Sequence, residues 1–168
     1  ININSEEIKS YNEDIKQVFQ DKAESILNGS SNRSVYSVDY EAFLNNNILS
    51  IVIRSTLKEG SNPQRVIIQT YCYNIKEMKK VEFSDIMTLK NLDTNTVQEK
   101  IRKQVQGKQE EAKALQQLGY SVYIRDLRSD RYDVENITNF FIDENNNVYV
   151  IYAYGNSTNT DVTDIITF

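Results

Sequence analysis

The sequence contains no histidine, no tryptophan, one cysteine and one proline in 168 residues. Without histidine, the commonest general base and the commonest metal ligand are both missing. With Cys72 as the single thiol, an internal disulfide and every cysteine-cluster metal site are excluded. Cys72 falls in an apolar run over residues 65–75, so we expect a buried, inert thiol rather than a nucleophile. No window approaches the roughly 18–20 apolar residues of a membrane span. A Gly-x-Ser-x-Gly elbow, a P-loop and a dinucleotide fingerprint are all lacking. No signal peptide is visible, yet the chain starts at Ile1 rather than Met. We therefore expect a piece of a longer protein.

What is present is ordinary for a globular chain: 39% hydrophobic and 26% charged residues. The length fits one domain, residues 1–168, able to bury a core unaided. The net charge is −5 and the isoelectric point about 4.9. Lysine and arginine are scattered among acids with no basic stripe, which argues against nucleic acid as a partner. A mild acidic excess aids solubility and suits a basic partner.

Asn4 and Ser5 can cap a helix, and Glu7 stands where a capping box wants it. Ile8, Tyr11, Ile15, Val18, Phe19, Ala23, Ile26 and Leu27 then recur at helical spacing, predicting an amphipathic helix over 5–28 that stops at Gly29. A polar loop over 29–33 follows. Tyr36, Val38, Tyr40, Ala42 and Leu44 alternate with polar residues, predicting a half-buried strand. Asn45-Asn46-Asn47 turns it into a return strand over 49–57, and residues 66–75 make a third. A brief pairing over 81–83 and a helical turn over 83–89 come next. Asp93 or Thr94 caps a second long helix with a stripe of Val97, Ile101, Val105, Ala112, Leu115 and Leu118. Gly107 weakens it, and Gly119 ends it. Residues 120–124 read as a short strand, and 125–133 as a charged, exposed loop.

The last thirty residues carry the clearest pattern. Two apolar runs, 140–142 and 148–154, flank Asp143-Glu144-Asn145-Asn146-Asn147. The second run is apolar on both alternating faces, as in the middle of a sheet. The acidic turn has oxygen ligands where a calcium loop begins. Val148 replaces the required glycine and Tyr154 the bidentate glutamate, so a hairpin is the better reading. Asp126, Asp130, Asp133 and Glu135 are the nearest thing to a catalytic acid cluster, and four acids in such a loop are usually only solvated. The tyrosines on neighbouring strands suit core packing better than a binding platform.

Several segments resemble a known family. They are Asn139-Phe140-Phe141-Ile142, the run from Val148 through Tyr152-Ala153-Tyr154-Gly155-Asn156, and then Thr160 and Asp164. With Ile1-Asn2-Ile3-Asn4-Ser5, Tyr11-Asn12-Glu13-Asp14-Ile15, Leu49-Ser50-Ile51-Val52-Ile53 and Arg125-Asp126-Leu127 before Tyr132, this pattern resembles a bacterial extracytoplasmic domain. That domain occurs in the anti-sigma factor RsiV, beside the catalytic part of PdaC-like peptidoglycan deacetylases, and in Firmicute envelope proteins of unknown function. The chain departs from it where relatives carry a Gly/His-rich loop, here Glu59-Gly60-Ser61-Asn62-Pro63, and at Val162, where relatives often carry an acid.

The resemblance implies an α+β fold, with an antiparallel β-sheet packed against two long α-helices. It implies a location outside the membrane, held by an anchor outside this chain. It implies a non-enzymatic ligand-binding or sensing domain, with no cofactor and no metal, whose partner is a protein such as lysozyme or a cell-wall component. The alternative is an accessory module of a cell-wall modifying enzyme. We expect partner contacts from exposed loops, at Arg125, Asp126, Arg128, Arg131, Asn156, Thr160 and Asp161.

Overall fold

The computed structural model describes residues 1–29, 33–156 and 158–168. The loop expected over 29–33 thus falls mostly outside the described residues. Helix α1 (Glu6–Ile15) passes through one π-helical turn (Lys16–Gln20) straight into α2 (Asp21–Leu27). Its cap is Ser5, whose hydroxyl accepts from the Ile8 N–H at 3.2 Å. The expected stripe holds only over the first turns. Ile8 and Phe19 are buried, but Leu27 is 82% exposed, because the π turn changes the angular step between residues before and after it.

Strands β1 (Ser34–Asn45), β2 (Ile48–Glu59), β3 (Arg65–Asn74) and the short β4 (Lys79–Lys80) form one antiparallel sheet in that order. Asn46 takes φ +49° in the β1–β2 turn, a conformation asparagine tolerates well. Helices α3 (Phe83–Leu89) and α4 (Thr94–Gln117) follow. Asp93 caps α4, accepting from the Thr96 N–H at 2.8 Å. The segment expected as a strand over 120–124 is irregular instead. Two 3-10 turns, Asp130–Tyr132 and Val134–Asn136, lead into β5 (Phe140–Ile142), β6 (Val148–Tyr154) and β7 (Val162–Thr167).

These last strands form a second antiparallel sheet with β6 in the centre. The α+β class and the antiparallel pairing hold. The expected single sheet on two helices does not: the described residues form two sheets, and the N-terminal helix and α4 pack on opposite faces of the first. The N-terminal helix lies on one face of the first sheet, where Phe19, Ile53 and Tyr71 form a small core. Tyr11 hydroxyl donates there to the Cys72 carbonyl at 2.9 Å, and the Tyr71 hydroxyl donates to Asp14. The larger core joins the opposite face, through Ile48 and Cys72, to α3, α4 and the inward side of the second sheet, including Ile86, Ile101, Val150 and Ile166. A stack of Phe43, Phe141 and Tyr149, with centroid separations of 5.4 and 4.5 Å, ties the two sheets together. Strand β2 is covered on both faces. Its early even-numbered residues, Ile48 and Ser50, are buried toward β5, while later odd-numbered residues, Ile53, Ser55 and Leu57, are buried toward the helix side.

Candidate binding surface

Arg125 was expected in an exposed loop, and the structure corrects this: it is 7% exposed. Its Nε and Nη2 donate to the two Asp164 carboxylate oxygens at 2.6 and 2.7 Å. Gln109 on α4 accepts the Arg125 backbone N–H at 2.6 Å, and the Lys108 carbonyl accepts from Nη1 at 3.3 Å. The Tyr154 hydroxyl donates to the same carboxylate at 3.0 Å. A bidentate pair whose carboxylate also accepts from Tyr154 and whose guanidinium also donates to a carbonyl makes burial of two charges tolerable. This arginine locks the irregular segment between α4 and β7 and is not free to contact a partner.

The other six expected residues fall into two groups. Asp126, Arg128 and Arg131 are exposed. Asp126 Oδ1 accepts from the Arg128 N–H at 3.0 Å, and the Arg131 guanidinium lies 5.5 Å from the centre of the Tyr154 ring. Asn156, Thr160 and Asp161 sit in the β6–β7 connection, which includes Ser157, outside the described residues. That connection is stapled to the edge of β3. The Thr160 carbonyl accepts from the Val66 N–H at 3.2 Å, the Thr160 hydroxyl bonds the Gln64 carbonyl, and Asp161 accepts from Gln64 at 3.0 Å and Arg54 at 3.4 Å.

A concavity of about 870 Å³ lies between α3, the start of α4 and the second 3-10 turn. Phe83, Met87, Leu92, Val134 and Ile137 line it along with the acids Glu82, Asp133 and Glu135. Gln98 holds one wall: its amide donates to the Tyr132 carbonyl at 2.8 Å and accepts from the Val134 N–H at 3.0 Å. Asp133 is paired with Arg102 at 3.0 Å. Of the four acids singled out in the sequence, only Asp133 and Glu135 line this cleft.

No family model matches the chain. No curated protein matches it either. Among solved structures it is similar to a member of the DUF3298 family from Bacteroides fragilis, a crystal structure at 2.30 Å, with a TM-score of 0.48 and 13% identity. The match covers 95% of this chain and 60% of the Bacteroides chain, so this chain spans about 60% of that protein's length.

Cys72 and Asp143 are internal. Burial pushes the Cys72 thiol up to about 12, against a smaller lowering by its bond to Ser50. Its S–H donates to the Phe140 carbonyl at 3.3 Å, so it is a neutral packing group. Asp143 is spent on its own turn, accepting from the Asn147 N–H at 2.8 Å, the Asn147 amide at 2.9 Å and the Tyr149 hydroxyl at 3.0 Å. Among the described residues no group of three or more metal-ligating side chains comes together. Sequence reasoning missed the Arg125–Asp164–Gln109 set. The signal was there in part: Asp164 keeps the inward phase of Ile166, and Gln109 lies four residues after Val105 on the buried stripe of α4.

Proposed function

We propose that this chain is a non-enzymatic binding or sensing domain of a bacterial envelope protein, displayed outside the membrane and related to the RsiV-type extracytoplasmic domain. The observation that carries the reading is the cleft between α3, α4 and the second 3-10 turn: an apolar lining with Glu82, Asp133 and Glu135 among it. Such a surface suits a ligand that is both apolar and cationic, as a basic protein partner such as lysozyme is. The sequence resemblance over residues 136–164 supports the envelope setting. Asp126 is occupied by its own turn and Asp133 by Arg102, an arrangement that suits recognition better than carboxylate catalysis.

Calorimetry of the chain against lysozyme, soluble peptidoglycan fragments and glycan oligomers tests this. We expect protein binding that is lost in Glu82→Lys/Glu135→Lys. Both side chains are exposed, but Glu82 also caps α3 in a capping box with Asp85, so Glu135→Lys alone is measured beside the double substitution and should by itself weaken binding. Binding of none of these, or turnover of any, overturns the proposal. Binding of glycan alone, unaffected by the cleft substitutions, reassigns the chain as an accessory module of a cell-wall enzyme.

A further inference from the structure

Strand β1 forms the outer edge of the first sheet. Its sequence alternates so that Tyr36, Val38, Tyr40, Ala42 and Leu44 share one face with Leu49, Ile51 and Ile53 of β2. Alternation of this kind predicts a buried face, and the structure does not bury it. The N-terminal helix covers Ile53 and Tyr71 further into the sheet. Val38 is left 46% exposed, Tyr40 71% and Leu44 58%. The opposite face of the same strand presents Asp39 and Glu41, both exposed, and β1 contains no lysine or arginine.

The backbone is equally open. Asn45 pairs with Ile48 across a two-residue turn, which directs the odd-numbered residues of β1 toward β2 and the even-numbered ones outward. The Tyr40 N–H accordingly donates to the neighbouring Asp39 carboxylate at 2.9 Å rather than to a strand. From Tyr36 to Leu44 the edge offers a row of outward donors and acceptors about 30 Å long. Along it run an apolar row on one face and an acidic pair on the other.

We propose that the outer edge of β1 is a docking site for an extended protein segment, added as a further strand, in which apolar residues alternate with lysine or arginine. The apolar side chains of that segment cover Val38, Tyr40 and Leu44. Its cations meet Asp39 and Glu41, and its carbonyls take over the Tyr40 N–H as Asp39 turns to the incoming cation. This is the physics of strand addition at a sheet edge: backbone bonds give affinity and alternate side chains give selectivity. Charge decides against a second copy as the occupant. Two β1 edges paired antiparallel over residues 36–44 set Asp39 opposite Glu41 on both sides of the axis, a like-charge arrangement that disfavours pairing. Each chain also carries a net charge of −5. The edge is separate from the acid-lined cleft and does not rest on the function proposed for it.

The test uses two labelled nine-residue peptides, one alternating valine and tyrosine with lysine, the other with glutamate in place of lysine. Fluorescence anisotropy with the 168-residue chain should show the lysine peptide binding at least about tenfold more tightly, with affinity falling as salt rises. Amide hydrogen exchange should slow at Tyr36, Val38, Tyr40, Ala42 and Leu44. Asp39→Lys/Glu41→Lys should reverse the preference toward the glutamate peptide, a gain that misfolding does not produce. Ala42→Pro, which removes one outward N–H, should abolish binding of the lysine peptide. Equal binding of both peptides, binding of neither, protection confined to another surface, or a dimer formed through this edge in sedimentation would each overturn the proposal.

Discussion

At the residue scale, Arg125 shows how far chemistry depends on placement. In sequence it opens a run of charged residues, the usual mark of a solvated loop. In the fold it is the centre of a buried network with Asp164, Gln109 and Tyr154. Arg125→Met leaves the Asp164 carboxylate buried and unpaired, and we expect a loss of about 3–5 kcal/mol in urea unfolding. The double replacement Arg125→Met/Asp164→Leu should recover most of that loss, because it removes both charges together. Cys72 supplies a pH prediction. Burial raises its thiol from 9.0 to about 12, so the folded thiol stays neutral where the unfolded one ionises. Its contribution is complete below pH 9 and is lost as pH rises from 9 toward 12. Unfolding free energy measured from pH 9 to 10 should therefore decline less steeply in Cys72→Ala than in the unaltered chain, the tyrosines, whose ordinary value is 10.0, contributing equally to both. The slope is the readout, since the cavity left by the substitution shifts every point alike.

At the scale of elements, the caps and turns follow from local sequence. Ser5 and Asp93 cap their helices, the Asn46 and Asp143 turns close their hairpins, and Gly119 ends α4 at φ +88°. The extent of each buried face does not follow. Leu115 and Leu118 continue the stripe of α4 yet are 43% and 75% exposed. Val38, Tyr40 and Leu44 of β1 meet no covering layer among the described residues. Periodicity reports that a face is apolar, and only the neighbouring elements determine whether something lies against it. Gly107, in the middle of α4, is a case where no neighbour constrains the side chain: a Cβ there meets nothing within 4 Å. Gly107→Ala should then stabilise the protein by about 1 kcal/mol through helix propensity. A thermal melt should show a rise of roughly 2–4 °C.

At the scale of the whole molecule, the sequence by itself determined the antiparallel hairpins, both long helical segments and the central position of β6. These rest on interactions between residues close along the chain: alternation, helical spacing, side-chain caps and asparagine turns. It also determined that histidine chemistry and cysteine-cluster metal chemistry are impossible, because those need atoms the chain lacks. The tertiary structure alone decided that the strands divide into two sheets, with β2 packed against the N-terminal helix on one face and toward β5 on the other. It alone placed Arg125 inside and gathered Asp133 and Glu135 with Glu82, which is about fifty residues away in sequence, around one cleft. It also left β1 with an edge that no strand pairs among the described residues. Each of these outcomes depends on contacts between distant segments, and the spacing of residues along a chain carries no information about which distant surfaces meet.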